Sequence, residues 1–478
     1  MHDRLSDLMD SASARGAYAD ARFVRERSEW LATRNGEVDD LYRNEEEGIG
    51  VRVRVGGAWG FAATRDTSRA GTEAALARAL AIAHAQPRAE PTPLAPEPPA
   101  HGRHRGGAGT DPFEVPLERK LERLLEADAA LGTDARLSLR QAYFSAYARD
   151  TVFASTEGAL FDQSVMETGG GLGATATERD EVQVRSFPGS HRGDTVQAGY
   201  EHFDSMELVA AAPRVAEEAI ALLTAEPCPS TTTTLIVDGE QLALQVHESV
   251  GHAVELDRVL GGEASYAGIS WVPPDAIGKL QYGSELMNVT ADATSPGGLG
   301  SYRWDDEGVE GRALPIVRDG VLRGFLSGRE SAASIGLDRS TGCMRAEGFA
   351  RQPIVRMTNV NLEPGDAGSL EDLIASTDRG IYMETNRSWS IDQRRLHFQF
   401  GTEIAWEIEN GRRTRMLRNP TYVGVTPEFW AGLDAVCSRP AWKLWGITNC
   451  GKGEPGQAMH VSHGAAPARF RNVQVGIA

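Results

Sequence analysis

Residues 238–257 read D-G-E-Q-L-A-L-Q-V-H-E-S-V-G-H-A-V-E-L-D. Asp238, with Gln241 three positions on, makes a helix start of the capping-box kind. Leu242, Val246, Val250, Ala253 and Leu256 then recur at roughly helical spacing, so the stretch predicts a helix. Two histidines on it, His247 and His252, bracket Glu248. Their spacing is one residue longer than the H-E-x-x-H by which one helix face binds zinc. Residues four apart on a regular helix differ in direction by about 40°, and residues five apart by about 140°. The two histidines therefore reach one ion only if the helix widens locally to an i→i+5 turn. Such turns occur mostly at functional sites, and Gly251 is placed to absorb one. The alternative is an ordinary helix with two histidines on its surface.

Working outward, TTTTLIVDG (231–239) reads as a strand feeding this helix, and EPCPSTTTT before it as a domain junction. Beyond the helix the chain is mostly strands, with RDG in PIVRDGVLRGFL and ENG in IAWEIENGRRTRML as tight hairpin turns. The first half predicts a helix at about 3–15, an antiparallel meander, and a helix at about 68–85. The Pro/Gly-rich segment 87–112, including its HGRHR, reads as a solvated connector. A charged amphipathic helix (LERKLERLLEADAAL), strands through 187 and a helix closing near 225 follow, in an order that hints at a loose duplication. Within those strands Gly171, Gly173 and Ala176 match G-x-G-x-x-A. A strand-like TERDEVQVR follows instead of a helix, so close strand packing explains the glycines better than a dinucleotide site. The fold class expected is α+β: an N-terminal α/β domain over 1–228 and a β-rich domain over 229–478 that carries the histidine helix.

With 478 residues the chain exceeds one small core, and its 52 glycines favour strands and turns over a helical bundle. A net charge of −18 argues against nucleic-acid binding, which needs basic surface. No apolar run approaches the ~20 residues of a membrane span. The polar N-terminus does not read as a signal peptide, so a cytoplasmic location is expected. Cys228, Cys343, Cys437 and Cys450 form no C-x-x-C, and a disulfide framework is not expected.

A catalytic zinc needs a third protein ligand. The best candidate is Cys450, in TNCGKGEPGQAMHVSHG. A glycine-rich turn there would expose the thiol, and Lys452 would favour the thiolate. At these residues the chain resembles the TldD/PmbA metallopeptidases, on the metal-binding TldD-type side. ARFVRERSE, GIGVRVRVGGAWGFA, HESVGH, DDEGVEG, RMTNVNLEPG and NCGKGEPGQ carry the resemblance along nearly the whole chain. It implies zinc held by His247, His252 and Cys450, with Glu248 as general base. The C-G-K-G-E-P-G-Q spacing departs from the family pattern at Gln457 and leaves that residue's role open.

The resemblance further implies a cytoplasmic peptidase acting on unfolded peptides or peptide precursors. Its partner would be a metal-free paralogous subunit, or a second copy of itself. His460, His463 and Arg345 are candidates for a second oxyanion donor. Two other readings stand beside this one. In one, Glu255 or Asp257 replaces Cys450 as third ligand. In the other, the chain is a non-catalytic protein-binding modulator of DNA gyrase, and the histidine helix is structural.

Overall fold

A computed structural model describes residues 1–86, 92–132 and 134–476. In the first half, strands Tyr18–Arg34 and Glu37–Val55 form one long antiparallel hairpin, and Leu137–Ser155 and Leu160–Glu178 form another. Tyr18–Arg34 pairs antiparallel with Leu137–Ser155, so the two hairpins fuse into a single eight-stranded sheet. Each hairpin supports its own apolar cluster. Helices His2–Ser13 and Arg69–Ala85 pack on the first, and Leu117–Leu131 and Leu208–Leu222 on the second. Ser68 caps the Arg69–Ala85 helix, its hydroxyl accepting from the Gly71 N–H at 3.1 Å.

The 87–112 connector is partly a correction. Residues 87–91 lie outside the described residues, but His101–Gly106, the HGRHR stretch itself, is a strand pairing in parallel with 160–165. Its composition lacks any strand signal, and the open sheet edge supplies the backbone partners that hold it. Gly171, Gly173 and Ala176 lie inside strand Leu160–Glu178. A Cβ on Gly171 would meet the Phe187 carbonyl at 2.7 Å, so this glycine serves close packing, whereas one on Gly173 would make only ordinary contacts, the nearest at 3.6 Å.

The second half is antiparallel apart from a few pairings. Strand Thr231–Val237 lies in its main sheet, parallel to Arg379–Ile391 on one side and antiparallel to Ala468–Val475 on the other. At its end Asp238 accepts from the Gln241 N–H at 3.0 Å and starts the helix Gly239–Val246. Both expected turns are present. Asp319–Gly320 and Asn410–Gly411 have positive φ at each residue, as the tight hairpin turn requires. A terminal hairpin, Lys443–Lys452 with Gln457–Ala465, packs over the helix. The architecture is α+β, with a β-rich C-terminal part.

Buried ion pairs join the halves. Arg52 binds Asp20 at 2.7 Å and Glu307 at 3.0 Å, and Arg185 binds Glu384 at 2.8 Å and Glu403 at 3.1 Å. Glu240, on the histidine helix, accepts from the Ser190 N–H at 3.1 Å and the Asn386 N–H at 2.7 Å. The helix is thus anchored to both halves. No described helix is long and apolar enough to cross a membrane.

Candidate metal centre

Gly239–Leu256 are all buried, so the two histidines are not decoration on a wet helix face. The helix is regular to Val246, and His247–Gly251 then form a π turn in which the His252 N–H donates to the His247 carbonyl. This is the i→i+5 widening the spacing demands. Its consequence is that the two imidazoles, five apart, come to 4.8 Å between ring centroids.

A π turn loosens the backbone ladder, and a buried polar network compensates here. The Tyr282 hydroxyl donates to the Ser249 carbonyl at 2.6 Å. The Ser249 hydroxyl donates to the Gln245 carbonyl at 2.6 Å and accepts from Trp430 Nε1 at 2.9 Å. Gln245 in turn accepts from the Tyr422 hydroxyl at 3.0 Å. Each bond satisfies a group that would cost about 1–3 kcal/mol if buried unpaired. Gly251 contributes differently from the flexible backbone expected of it. Its φ is −51°, available to any residue, but a Cβ there would meet Met357 Sδ at 2.1 Å. Absence of a side chain is what matters, because Met357 fills the space beside the turn.

Cys450 joins the histidines from the terminal hairpin. One ligand atom from each of His247, His252 and Cys450 lies within 4.8 Å of the others, and Cys450 Sγ is 3.6 Å from His252 Nε2. Thr448 and Asn449 lie opposite His460 as a β-bulge, two residues against one, just before Cys450. The expected exposed glycine-rich turn is corrected: Cys450 is on a strand and buried. Lys452 does not face the sulfur either. It binds Asp257 at 2.7 Å, Glu255 at 3.3 Å and the Val355 carbonyl at 2.7 Å. The cation on the sulfur is Arg356, 3.0 Å away, which also donates to the Cys450 carbonyl.

The protonation states suit a cation. His463 donates from Nδ1 to the Val360 carbonyl at 2.8 Å, which leaves its Nε2 to accept from His247 Nδ1 at 2.7 Å. His252 donates from Nδ1 to Glu255 at 2.9 Å. Both ligand candidates therefore keep a bare Nε2. Burial holds His247 down at about 4 and His252 well below its ordinary value, so both are neutral at pH 7. Burial alone would push the Cys450 thiol up, but the Arg356 guanidinium against the sulfur counters it, and the thiol lies below its ordinary value. The other three cysteines are pushed the opposite way by burial, Cys228 and Cys437 to about 11 and Cys343 to about 12. Two imidazole nitrogens and one thiolate are a donor set that zinc accepts.

The other sequence candidates each have partners of their own. Glu255 is occupied behind His252 and Asp257 is paired to Lys452, so neither carboxylate joins the ligand cluster. His463 stands behind His247. His460 binds Glu167 of the first half at 2.5 Å. Arg345 braces the Met357 and His460 carbonyls at 3.1 and 2.8 Å. Gln457 accepts from the Glu347 N–H at 3.0 Å and donates to the Gln352 carbonyl at 2.9 Å, a clamp beside the hairpin turn. Met459, the cross-strand partner of Cys450, lines a cavity of about 190 Å³ between the halves.

Two residues escaped the sequence reading. Arg356 follows a strand signal and carries none of its own. Arg395, at the turn between strands Arg379–Ile391 and His397–Glu409, places its guanidinium on the Glu248 carboxylate. Nothing in the local sequence ties a hairpin turn to a helix almost 150 positions earlier.

Comparison with known proteins matches three consecutive stretches to the PmbA/TldA metallopeptidases: domain 1 at 19–83, the central domain at 110–224 and the C-terminal domain at 230–477. A "Metalloprotease" of Methanothermobacter thermautotrophicus is 29% identical over 474 residues, covering 99% of this chain and 98% of its own. A "Zinc metalloprotease TldD homolog" of Saccharolobus solfataricus is 27% identical over 243 residues, 51% of each chain. The fold matches that of TldE from Thermococcus kodakarensis with a TM-score of 0.76 at 16% identity, covering 99% of this chain and 100% of that one.

Proposed function

The chain belongs to the PmbA/TldA metallopeptidase family and is a metallopeptidase, and on that premise we propose that it is a zinc enzyme hydrolysing peptide bonds in unfolded peptides or peptide precursors. The observation that carries this is the π turn, which sets His247 and His252 beside Cys450 with Glu248 between the histidines in sequence.

In this reading His247, His252 and Cys450 hold the zinc. When bound, zinc supplies a Lewis acid that acidifies water and draws charge from a carbonyl. Glu248 accepts a proton as the water oxygen bonds to the peptide carbonyl carbon, whose π pair moves onto its oxygen. Glu248 then returns that proton to the amide nitrogen as the C–N bond breaks, leaving a free amine and a carboxylic acid whose remaining proton, the second of the water's two, ionises to solvent. His463 and Glu255 hold the imidazoles in the tautomer that presents Nε2, and Arg356 keeps the sulfur ionised. The nearly closed surroundings exclude bulk water and strengthen each of these interactions.

An extended, unfolded segment is the substrate that reaches so enclosed a centre, with a metal-free paralogous subunit or a second copy as partner and the cytoplasm as location. Strong acidity supports protein or peptide partners over nucleic acid. A carboxylate poised beside two histidines has no use in a purely protein-binding modulator, which favours the enzyme.

The test is Glu248→Gln beside Cys450→Ala, with zinc and cleavage of an unfolded peptide measured on the same samples. Glu248→Gln keeps wild-type zinc and loses at least ~10²-fold in kcat. Cys450→Ala loses zinc and activity together. Cleavage that survives loss of Glu248 rejects the reading.

A further inference from the structure

The hydrolysis above leaves the carbonyl oxygen's negative charge without a protein donor. We infer that Arg395 is that donor, a catalytic residue that touches the reacting carbonyl oxygen. The inference rests on the zinc-peptidase reading and adds a role the sequence reading could not assign.

Position argues first. Arg395 binds the Glu248 carboxylate, the group that handles the water proton. Glu248 is the one carboxylate it serves, because Glu255 already has Lys452 and Arg258 nearby.

The backbone argues second. Arg395 has φ +64°, a left-handed conformation that glycine or asparagine would take more readily. The turn enforces it through several bonds. The Arg395 N–H donates to the Asp392 carbonyl at 3.0 Å and the Leu396 N–H to Asp392 Oδ1 at 2.8 Å. The Thr426 hydroxyl donates to the Arg395 carbonyl at 2.8 Å. An unfavourable conformation held this firmly aims one particular side chain.

Donor supply argues third. A guanidinium has five N–H groups. Arg395 gives Glu248 a hydrogen bond from Nη1, while its Nε is buried with no partner among the described residues. The side chain is only 17% exposed. His460, His463 and Arg345 are each bound elsewhere, as described.

The step is balanced. As the water oxygen bonds to the carbonyl carbon, the π pair becomes a third lone pair on the carbonyl oxygen, and Arg395 N–H groups donate to it. The arginine gives up no proton. When the C–N bond breaks, the pair returns to rebuild the C=O bond and the guanidinium falls back to Glu248.

The experiment compares wild type, Arg395→Lys and Arg395→Ala, each with its zinc content measured. Peptide cleavage is followed, and binding of a phosphinic peptide, whose tetrahedral anionic centre imitates the attacked carbonyl, is titrated by calorimetry. Arg395→Ala is expected to lose about 10²–10³-fold in kcat with wild-type zinc and a KM within about threefold. Its phosphinic-peptide affinity falls by a similar factor, and Arg395→Lys recovers part of both. A kcat near wild type, a loss explained by missing zinc, or unchanged phosphinic-peptide affinity overturns the assignment. If wild-type protein does not cleave, the zinc-peptidase reading has failed, and the titration, which needs no turnover, still decides whether Arg395 holds the anionic centre.

Discussion

His247 and His252 each commit an inner ring nitrogen to a buried partner, and Cys450 carries Arg356 against its sulfur. Glu248, one residue from His247, reaches instead to a single arginine on a distant hairpin turn. One side of the π turn is therefore backed twice over and the other is held by one exchangeable contact. The difference follows from what each side must do. Ligands gain from fixed tautomer and direction, whereas a base and an oxyanion donor must change partners within each turnover.

His463→Leu attacks the backed side. It leaves the His247 Nδ1 proton without an acceptor and frees the ring. Zinc affinity should fall about 10–100-fold, read by competition with a chromogenic chelator. Turnover at saturating zinc should change little. A variant that kept wild-type affinity but lost kcat would invert the comparison and place His463 on the catalytic side.

Gly251→Ala tests what makes the turn possible, with an effect on stability and not on the ligands. Its Cβ would collide with Met357, and overpacking of this kind costs about 1–3 kcal/mol in chemical denaturation. Met357→Ala in the same chain should return part of that loss, because the two substitutions share one contact. Equal, additive losses would mean that the glycine serves the backbone and not the space beside it.

The comparison also explains what could be read from the sequence. His247, Glu248, His252 and the Asp238 cap lie on one short segment, so period and spacing exposed them and even required the π turn. Cys450 stood out through its glycine-rich neighbours, although those neighbours do not expose it, and Lys452 turned out to serve Glu255 and Asp257. The supports were not legible. Tyr282, Trp430 and Arg395 meet the helix only through tertiary contacts, and Arg356, although it opens the RMTNVNLEPG stretch, shows its role only through its contact with Cys450. The same holds for the fold. Hairpins announced by Asp319–Gly320 and Asn410–Gly411 were visible, because their turns need those residues. Strand His101–Gly106 was not, since a partner strand holds it and its own residues do not.

The central claim is that the metal sits between two imidazoles and one thiolate. Zinc-edge X-ray absorption on the purified chain tests it most directly. One sulfur at about 2.3 Å and two nitrogens at about 2.0–2.1 Å are predicted, with the sulfur shell absent from Cys450→Ala. A first shell of nitrogen and oxygen alone in the wild-type protein would contradict the account.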